Sequence, residues 1–238
     1  KMEELTGRTT EQTLLREALV SGAPELIALY GRRRVGKTFL VRQTLSHALV
    51  FEFVGTKDAN LPTQLERFKK TLGRAIGNDK IYQLPAKWAD AFYQLSHYLT
   101  PKFSAGRSVV FMDEFPWMNS HKSGFLPAFD HWWNSWGTKQ KNLVVIICGS
   151  AASWMIQHIV NNKGGLHNRI TRKIRLLPFH LKETEEFLQA RNVNIDRYQI
   201  LQLYMVIGGI PHYLKEVKKG ESATQAIDRI CFTKDGLL

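Results

Sequence analysis

Cysteine is scarce: Cys148 and Cys231 are the only two in 238 residues. They stand far apart, and Cys148 lies within an apolar run. A disulfide framework is therefore not what holds the chain, and both read as reduced thiols of a cytoplasmic protein. Long apolar runs are missing too. None approaches the ~20 residues that span a bilayer, so no membrane segment is expected. Lys1-Met2-Glu3-Glu4 lacks the apolar stretch of a secretory leader. No repeat and no low-complexity tract is visible. Acid is also in short supply, with 21 Asp and Glu against 33 Lys and Arg, for a net charge of +12. Such a balance suits a polyanion partner, nucleic acid included. The basic residues are nevertheless spread, with local concentrations at Arg32–Arg34, Arg169–Arg175 and Lys215–Lys219. The apolar fraction of 44% is ordinary for a globular chain with a sizeable core.

What the chain does have is one loop with a definite chemistry. Leu26 to Tyr30 reads as a buried strand that breaks at Gly31. Arg32, Arg33, Arg34 and Val35 follow, then Gly36, Lys37, Thr38 and Phe39 open an apolar-periodic helix. This is G-x-x-x-x-G-K-[ST] between a strand and a helix. Gly31 and Gly36 let the backbone turn tightly and approach a phosphate. The loop N–H groups and the helix N-terminus face the anion. Lys37 is placed to reach the β- and γ-phosphates and the Thr38 hydroxyl to ligate Mg²⁺.

Ahead of the loop, Thr9 or Thr10 can cap a helix that buries Leu14, Leu15, Ala18 and Leu19. After it come a strand at Leu49–Val54 and two amphipathic helices, Leu61–Ile76 and Lys87–Leu99. Arg107–Pro116 then carries four apolar residues that end in Asp113-Glu114. Paired carboxylates at the C-terminal end of a buried parallel strand belong beside a phosphate loop. Asp113 is the candidate to orient Mg²⁺, and Glu114 the candidate general base for the attacking water. Phe125, Phe129, Trp132 and Trp136 form one helical stripe, read first as core packing and second as an exposed contact. Leu143–Cys148 is a further buried strand with a polar tip, where Ser150 could contact the γ-phosphate or the water. Asn161–Gly165 reads as a loop, and Asn162-Lys163 lacks the aspartate of a guanine-reading N-K-x-D element. A short fifth strand is expected near Lys173–Leu177. After Pro178 the pattern turns helical, with segments at Glu183–Ala190, Asp196–Val206, Pro211–Lys219 and Ser222–Ile230. Lys234–Leu238 shows no closing element.

Taken together, L-T-G-R-x-x-E at Leu5–Glu11, G-R-R-R-V-G-K-T, V-V-F-M-D-E-F-P, I-C-G-S at Ile147–Ser150 and G-G-I-P-H-Y-L at Gly208–Leu214 resemble the archaeal-type ATPase family. That family is related to the AAA+, STAND switch and origin-recognition ATPases. The resemblance implies a three-layer α/β P-loop NTPase fold. Its five-stranded parallel sheet would have the order 5-1-4-3-2, with a core at 1–178 and a small helical lid at 179–238. It implies ATP or ADP with Mg²⁺ as ligands, and a switch ATPase as the activity. Leu5, Gly7 and Arg8 match a segment lining the adenine side of the pocket. Gly209 and Pro211 match a lid motif near the base or sugar, and Arg169 matches a γ-phosphate sensor or trans-acting finger. The implied partners are further copies or a C-terminal effector region, which family members usually carry and this sequence does not reach. The competing reading is a nucleic-acid-binding module whose docking ATP controls. A P-loop kinase is disfavoured, because adjacent Asp113-Glu114 suits water activation and no acceptor site is evident.

Overall fold

Two runs in the sequence are apolar at almost every position, and both are central strands. β1 (Glu25–Tyr30) and β4 (Leu143–Gly149) lie side by side in a five-stranded parallel sheet. With β2 (Leu49–Val54), β3 (Ser108–Asp113) and β5 (Arg172–Arg175), the order is β2-β3-β4-β1-β5. Read from the other edge this is the expected 5-1-4-3-2. A strand covered on both faces needs no polar alternation, and every residue of β3 and β4 is buried. The edge strand β2 does alternate: Phe51 and Phe53 point inward and Glu52 outward. The computed structural model describes residues 5–78, 82–161, 166 and 168–233. Most of the expected Asn161–Gly165 loop and the segment 234–238 lie outside them.

Successive side chains of a strand face opposite ways, so β1 feeds two cores. Ile27 and Leu29 pack with α1 (Thr9–Val20) and α2 (Lys37–Leu45) through Leu15, Ala18, Leu40 and Val41. Leu26 and Ala28 face the helices α3 (Leu61–Ile76) and α4 (Trp88–Leu99). On that side α5 (Phe115–Met118) and α6 (Phe125–Ser135) complete the layer. The aromatic stripe is core packing: Phe125, Phe129 and Trp132 are buried, and Trp136 is half-buried at its end. Phe92 stacks on Trp132, with centroids 5.2 Å apart. Truncating Phe92, Phe125 or Phe129, each fully buried, to alanine should cost about 3–5 kcal/mol.

β4 leads into the single-turn helix α7 (Ala152–Met155) and a π-helical turn at Ile156–Val160. Beyond β5 the chain forms α8 (Leu181–Ala190), α9 (Arg197–Ile207), α10 (Pro211–Leu214) and α11 (Ala223–Ile227). These helices bury a cluster of their own around Leu188, Ile200, Leu203, Leu214 and Ile230. The expected helix Pro211–Lys219 stops at Leu214. Glu216 and Val217 bond three residues back, to Tyr213 and Leu214, so the backbone tightens into turns. Gly209 is the seam. Phe179 N–H donates to its carbonyl at 2.6 Å, and a Cβ there would lie 1.8 Å from the Phe179 carbonyl. Among the described residues no helix is long and apolar enough to cross a membrane.

Candidate functional site

Parallel strands deliver their C-terminal ends to one edge of the sheet, and β1, β3 and β4 end there together. The segment after β1 is the glycine loop. Gly31 has no room for a side chain, since a Cβ would sit 2.2 Å from the Leu176 carbonyl. Gly36 caps α2 in the left-handed region, at φ 92°. Lys37 is buried and folds back over the loop. Its Nζ donates to the carbonyls of Gly31 and Arg32 at 3.1 and 3.0 Å.

The segment after β3 meets it. Thr38 Oγ1 donates to Asp113 Oδ2 at 2.6 Å, across 75 residues of sequence. The other oxygen, Asp113 Oδ1, accepts from the Glu114 N–H at 2.9 Å. Ser150, at the tip of β4, donates through Oγ to both carboxylate oxygens of Glu114, at 3.0 and 2.9 Å. Its N–H adds a longer contact of 3.3 Å to Oε2. Glu114 itself sits at φ 49°, ψ 45°. That left-handed conformation costs a side-chain-bearing residue about 1–2 kcal/mol, and it persists only where surroundings over-determine it. Beneath the carboxylates lies Cys148, whose thiol is pushed well above its usual range by burial, with Asp113 adding to the effect.

Lys37, Thr38, Asp113 and Glu114 belong to one wall of a cleft of about 330 Å³, while Gly31, Arg32 and Ser150 stand outside its lining. Arg33, Arg34, Gly36, Lys37, Thr38, Phe39, Asp113 and Glu114 line it from the sheet side. Phe187, Pro211, His212 and Lys215 close it from the helical side. Arg34 spans the two, donating from Nη1 to the Tyr213 hydroxyl at 2.9 Å. Burial lowers the His212 imidazole, and the cations Lys215 and Arg34 lower it further against an opposing Glu216. Basic groups therefore crowd the mouth of the cleft.

Not every expected site residue faces it. Val35 is buried behind the loop, and its carbonyl accepts from Arg8 Nη2 at 3.4 Å. Arg8 caps α1 from the left-handed region at φ 58°, so neither Thr9 nor Thr10 supplies the cap. Its N–H donates to Glu183 Oε1 at 3.2 Å, and its guanidinium lies 4.5 Å over the Phe179 ring. Burial lowers this guanidinium from its ordinary value, and Glu183 opposes the shift. Gly7 stands against the Glu183 side chain, and Leu5 is half-buried on the α1–α2 core. Leu5, Gly7 and Arg8 thus brace the wall rather than line the cleft. Arg169 is exposed on the turn before β5 and does not line it. Sequence reasoning missed Phe187, His212 and Lys215. His212 stood inside the Gly208–Leu214 motif and Lys215 in a basic run. Phe187 carried no signal beyond a helical apolar position.

Chemically, the cleft offers an anion cradle, a hydroxyl–carboxylate pair and a braced carboxylate within reach of one another. Thr38 Oγ1 and Asp113 Oδ2 are hard oxygen donors, the set that suits Mg²⁺. Among the described residues no cluster of three His, Cys, Asp or Glu could cage an ion. The two oxygens thus suit a metal that takes its remaining ligands from water and phosphate.

A family model described as an ATPase domain predominantly from Archaea matches residues 5–217. An uncharacterized protein of Methanocaldococcus jannaschii is 27% identical over 216 residues, covering 89% of this chain and 43% of its own length. The chain thus spans less than half of that curated relative. The Walker-type ATPase of Pyrococcus abyssi superposes with a TM-score of 0.67 at 20% identity, over 96% of this chain and 72% of its own. The Pyrococcus horikoshii STAND protein with a tetratricopeptide repeat sensor gives 0.56 at 19%, over 91% and 30%. The Aeropyrum pernix ORC2 protein, solved as ADPNP–ADP complexes, gives 0.61 at 18%, over 90% and 61%. At these identities the solved structures establish a shared P-loop NTPase-like fold.

Proposed function

The chain belongs to the family of ATPase domains found predominantly in Archaea, and from that premise we propose an ATP-binding, Mg²⁺-dependent ATPase that works as a switch. The observation that carries the reading is the chain of contacts from Thr38 to Asp113, Glu114 and Ser150 at the mouth of a glycine loop. Holding the phosphates falls to the loop N–H groups, the Lys37 ammonium and the α2 N-terminus. Bound Mg²⁺ would neutralise phosphate charge as it develops. Thr38 and Asp113 are the residues to hold it, with Asp113 acting through water. Glu114 takes the proton of the water that attacks the terminal phosphorus. Ser150 fixes both carboxylate oxygens, so it orients the base.

Pro211, His212 and Phe187 give the helical side an apolar and aromatic surface suited to a base or sugar. Leu5, Gly7 and Arg8 support that side from behind. We assign residues 1–178 to the catalytic core and 179–238 to a lid whose angle follows the nucleotide. Arg169 is exposed and off its own cleft, which favours action on a neighbouring copy. Burial of the aromatic stripe removes one of the two motives for a nucleic-acid module and leaves only the charge.

Lys37→Ala tests the site. Loss of a charged hydrogen bond is worth about 1.5–3 kcal/mol, so nucleotide affinity by calorimetry should fall roughly 10- to 150-fold. Undiminished affinity would defeat the assignment of the loop.

A further inference from the structure

Gln64 lies on α3, wholly buried, away from the cleft and from every motif of the sequence. A primary amide is costly to bury unless its hydrogen bonds are made. This one makes three. Its Nε2 donates to the carbonyls of Thr56 and Trp117, each at 2.8 Å. Its Oε1 accepts from the Thr56 N–H at 3.3 Å. The amide therefore clamps one residue by both its backbone groups and ties it to a second segment.

Both segments bear on Glu114. Thr56 follows Gly55, whose N–H donates to the Asp113 carbonyl at 2.9 Å. Gly55 packs so closely that a Cβ would lie 2.4 Å from the Glu114 carbonyl. Trp117 returns its own N–H to that same carbonyl at 2.9 Å. The Glu114 peptide is thus gripped between the end of β2 and the turn of α5, and Gln64 is the side chain that joins the two. Ser150 fixes the carboxylate end; a second device is needed for the backbone end, which is held in the left-handed region.

We propose that Gln64 is a positioning residue for hydrolysis, acting through the backbone of Glu114. The proposal rests on the reading of Glu114 as the general base. Gln64→Met keeps the length of the side chain and removes all three hydrogen bonds. Small displacements of a reacting group cost up to about 10²-fold in rate. Single-turnover ATP hydrolysis should therefore slow roughly 10- to 100-fold, with ATP affinity unchanged within about twofold. Gly55→Ala pushes on the same carbonyl from the other side and should give the same split. In a Glu114→Gln background, Gln64→Met should cause no further loss, because residues that act through one group are not additive. A wild-type rate in Gln64→Met overturns the proposal, as does an equal loss in both backgrounds or a parallel loss of ATP affinity. A wild-type rate in Glu114→Gln alone is a separate result, which overturns the base assignment and this proposal with it.

Discussion

Replacing Glu114 by glutamine changes the proton affinity of one group and little else, which makes it the sharpest test of the chemistry. The side chains are isosteric. A glutamine carbonyl still accepts from Ser150 Oγ, whose bonds to Glu114 measure 2.9 and 3.0 Å. What is lost in the ground state is the longer 3.3 Å contact with the Ser150 N–H, which would face an amide donor instead. At 3.3 Å this contact lies at the low end of the range of about 1.5–3 kcal/mol for a hydrogen bond to a charged group, so the fold and the cleft should survive. The barrier should not. Removing a general base costs about 10²- to 10⁴-fold in rate, or roughly 2.7–5.4 kcal/mol at 1.36 kcal/mol per decade. The two effects therefore separate by size. Because the substitution also removes a negative charge from an anion site, ATP affinity should stay constant or tighten. Single-turnover hydrolysis of labelled ATP with protein in excess reads the rate, and calorimetry reads the affinity. A Glu114→Gln protein that hydrolyses within about threefold of the wild type would refute the reasoning.

Two further outcomes follow from the seam and from the mouth of the cleft. Gly209→Ala places a Cβ 1.8 Å from the Phe179 carbonyl, where only backbone can yield. It should cost about 2–3 kcal/mol and lower the melting temperature by roughly 5–10 °C, read by calorimetric scanning; an unchanged melting temperature would show that the seam gives way freely. His212 supplies a pH dependence. Its folded pKa is lowered, first by burial and then by Lys215 and Arg34. The unfolded chain therefore binds more protons, and the contribution to stability is present above an unfolded value of about 6.5 and lost as pH falls below it. Phosphate near the ring would reverse the shift, so ATP binding should take up protons near neutral pH. Titrations in two buffers of different ionisation enthalpy measure that uptake, and its persistence in His212→Gln would assign it elsewhere.

The sheet was legible because its strands differ from everything around them. Leu143–Cys148 and Val109–Met112 are apolar at every position, which a helix of an open α/β layer would not be. The meeting of Thr38 with Asp113 was legible as well. It follows from strand polarity, because all the strands of a parallel sheet end at one edge and the glycine spacing fixes where the loop lies. Rotamer and burial were not legible. Nothing in the composition of Ile147–Ser150 shows that Ser150 bonds the Glu114 carboxylate. Nothing in L-T-G-R shows that Arg8 is buried behind the loop. Its neighbours there, Val35 on one side and Phe179 with Glu183 on the other, come from two distant parts of the chain. The third lid helix segment, Pro211–Lys219, was overestimated for a local reason. Apolar spacing at Leu214 and Val217 fits an α-helix and a run of tight turns equally, and hydrogen bonding chose the turns. Gln64 was invisible because a glutamine in an amphipathic helix ordinarily faces solvent.

Arg8 and Arg34 both tie the sheet side to the helices beyond Phe179, and the two links differ in kind. The inner link is Arg8, buried, over Phe179 and bonded to Val35, with Glu183 on its backbone. A desolvated cation–π contact of this sort contributes about 2 kcal/mol, beside the bond to Val35 and the attraction of Glu183. The outer link is Arg34 on Tyr213, an exposed hydrogen bond worth about 0.5–1.5 kcal/mol. Arg34 belongs to the glycine loop, lines the cleft and stands at φ 70°. On the proposed reading, the phosphates of ATP enter beside it and compete for its guanidinium, since a phosphate is a stronger acceptor than a phenol. The inner link should then persist while the outer one exchanges. On that reading a hinge at Arg8, Phe179 and Gly209, with an exchangeable latch at Arg34, would turn nucleotide charge into a change of angle between the two parts. Lys215 and Arg34 both bear on the His212 ring, and an anion bound between them would relieve their mutual repulsion.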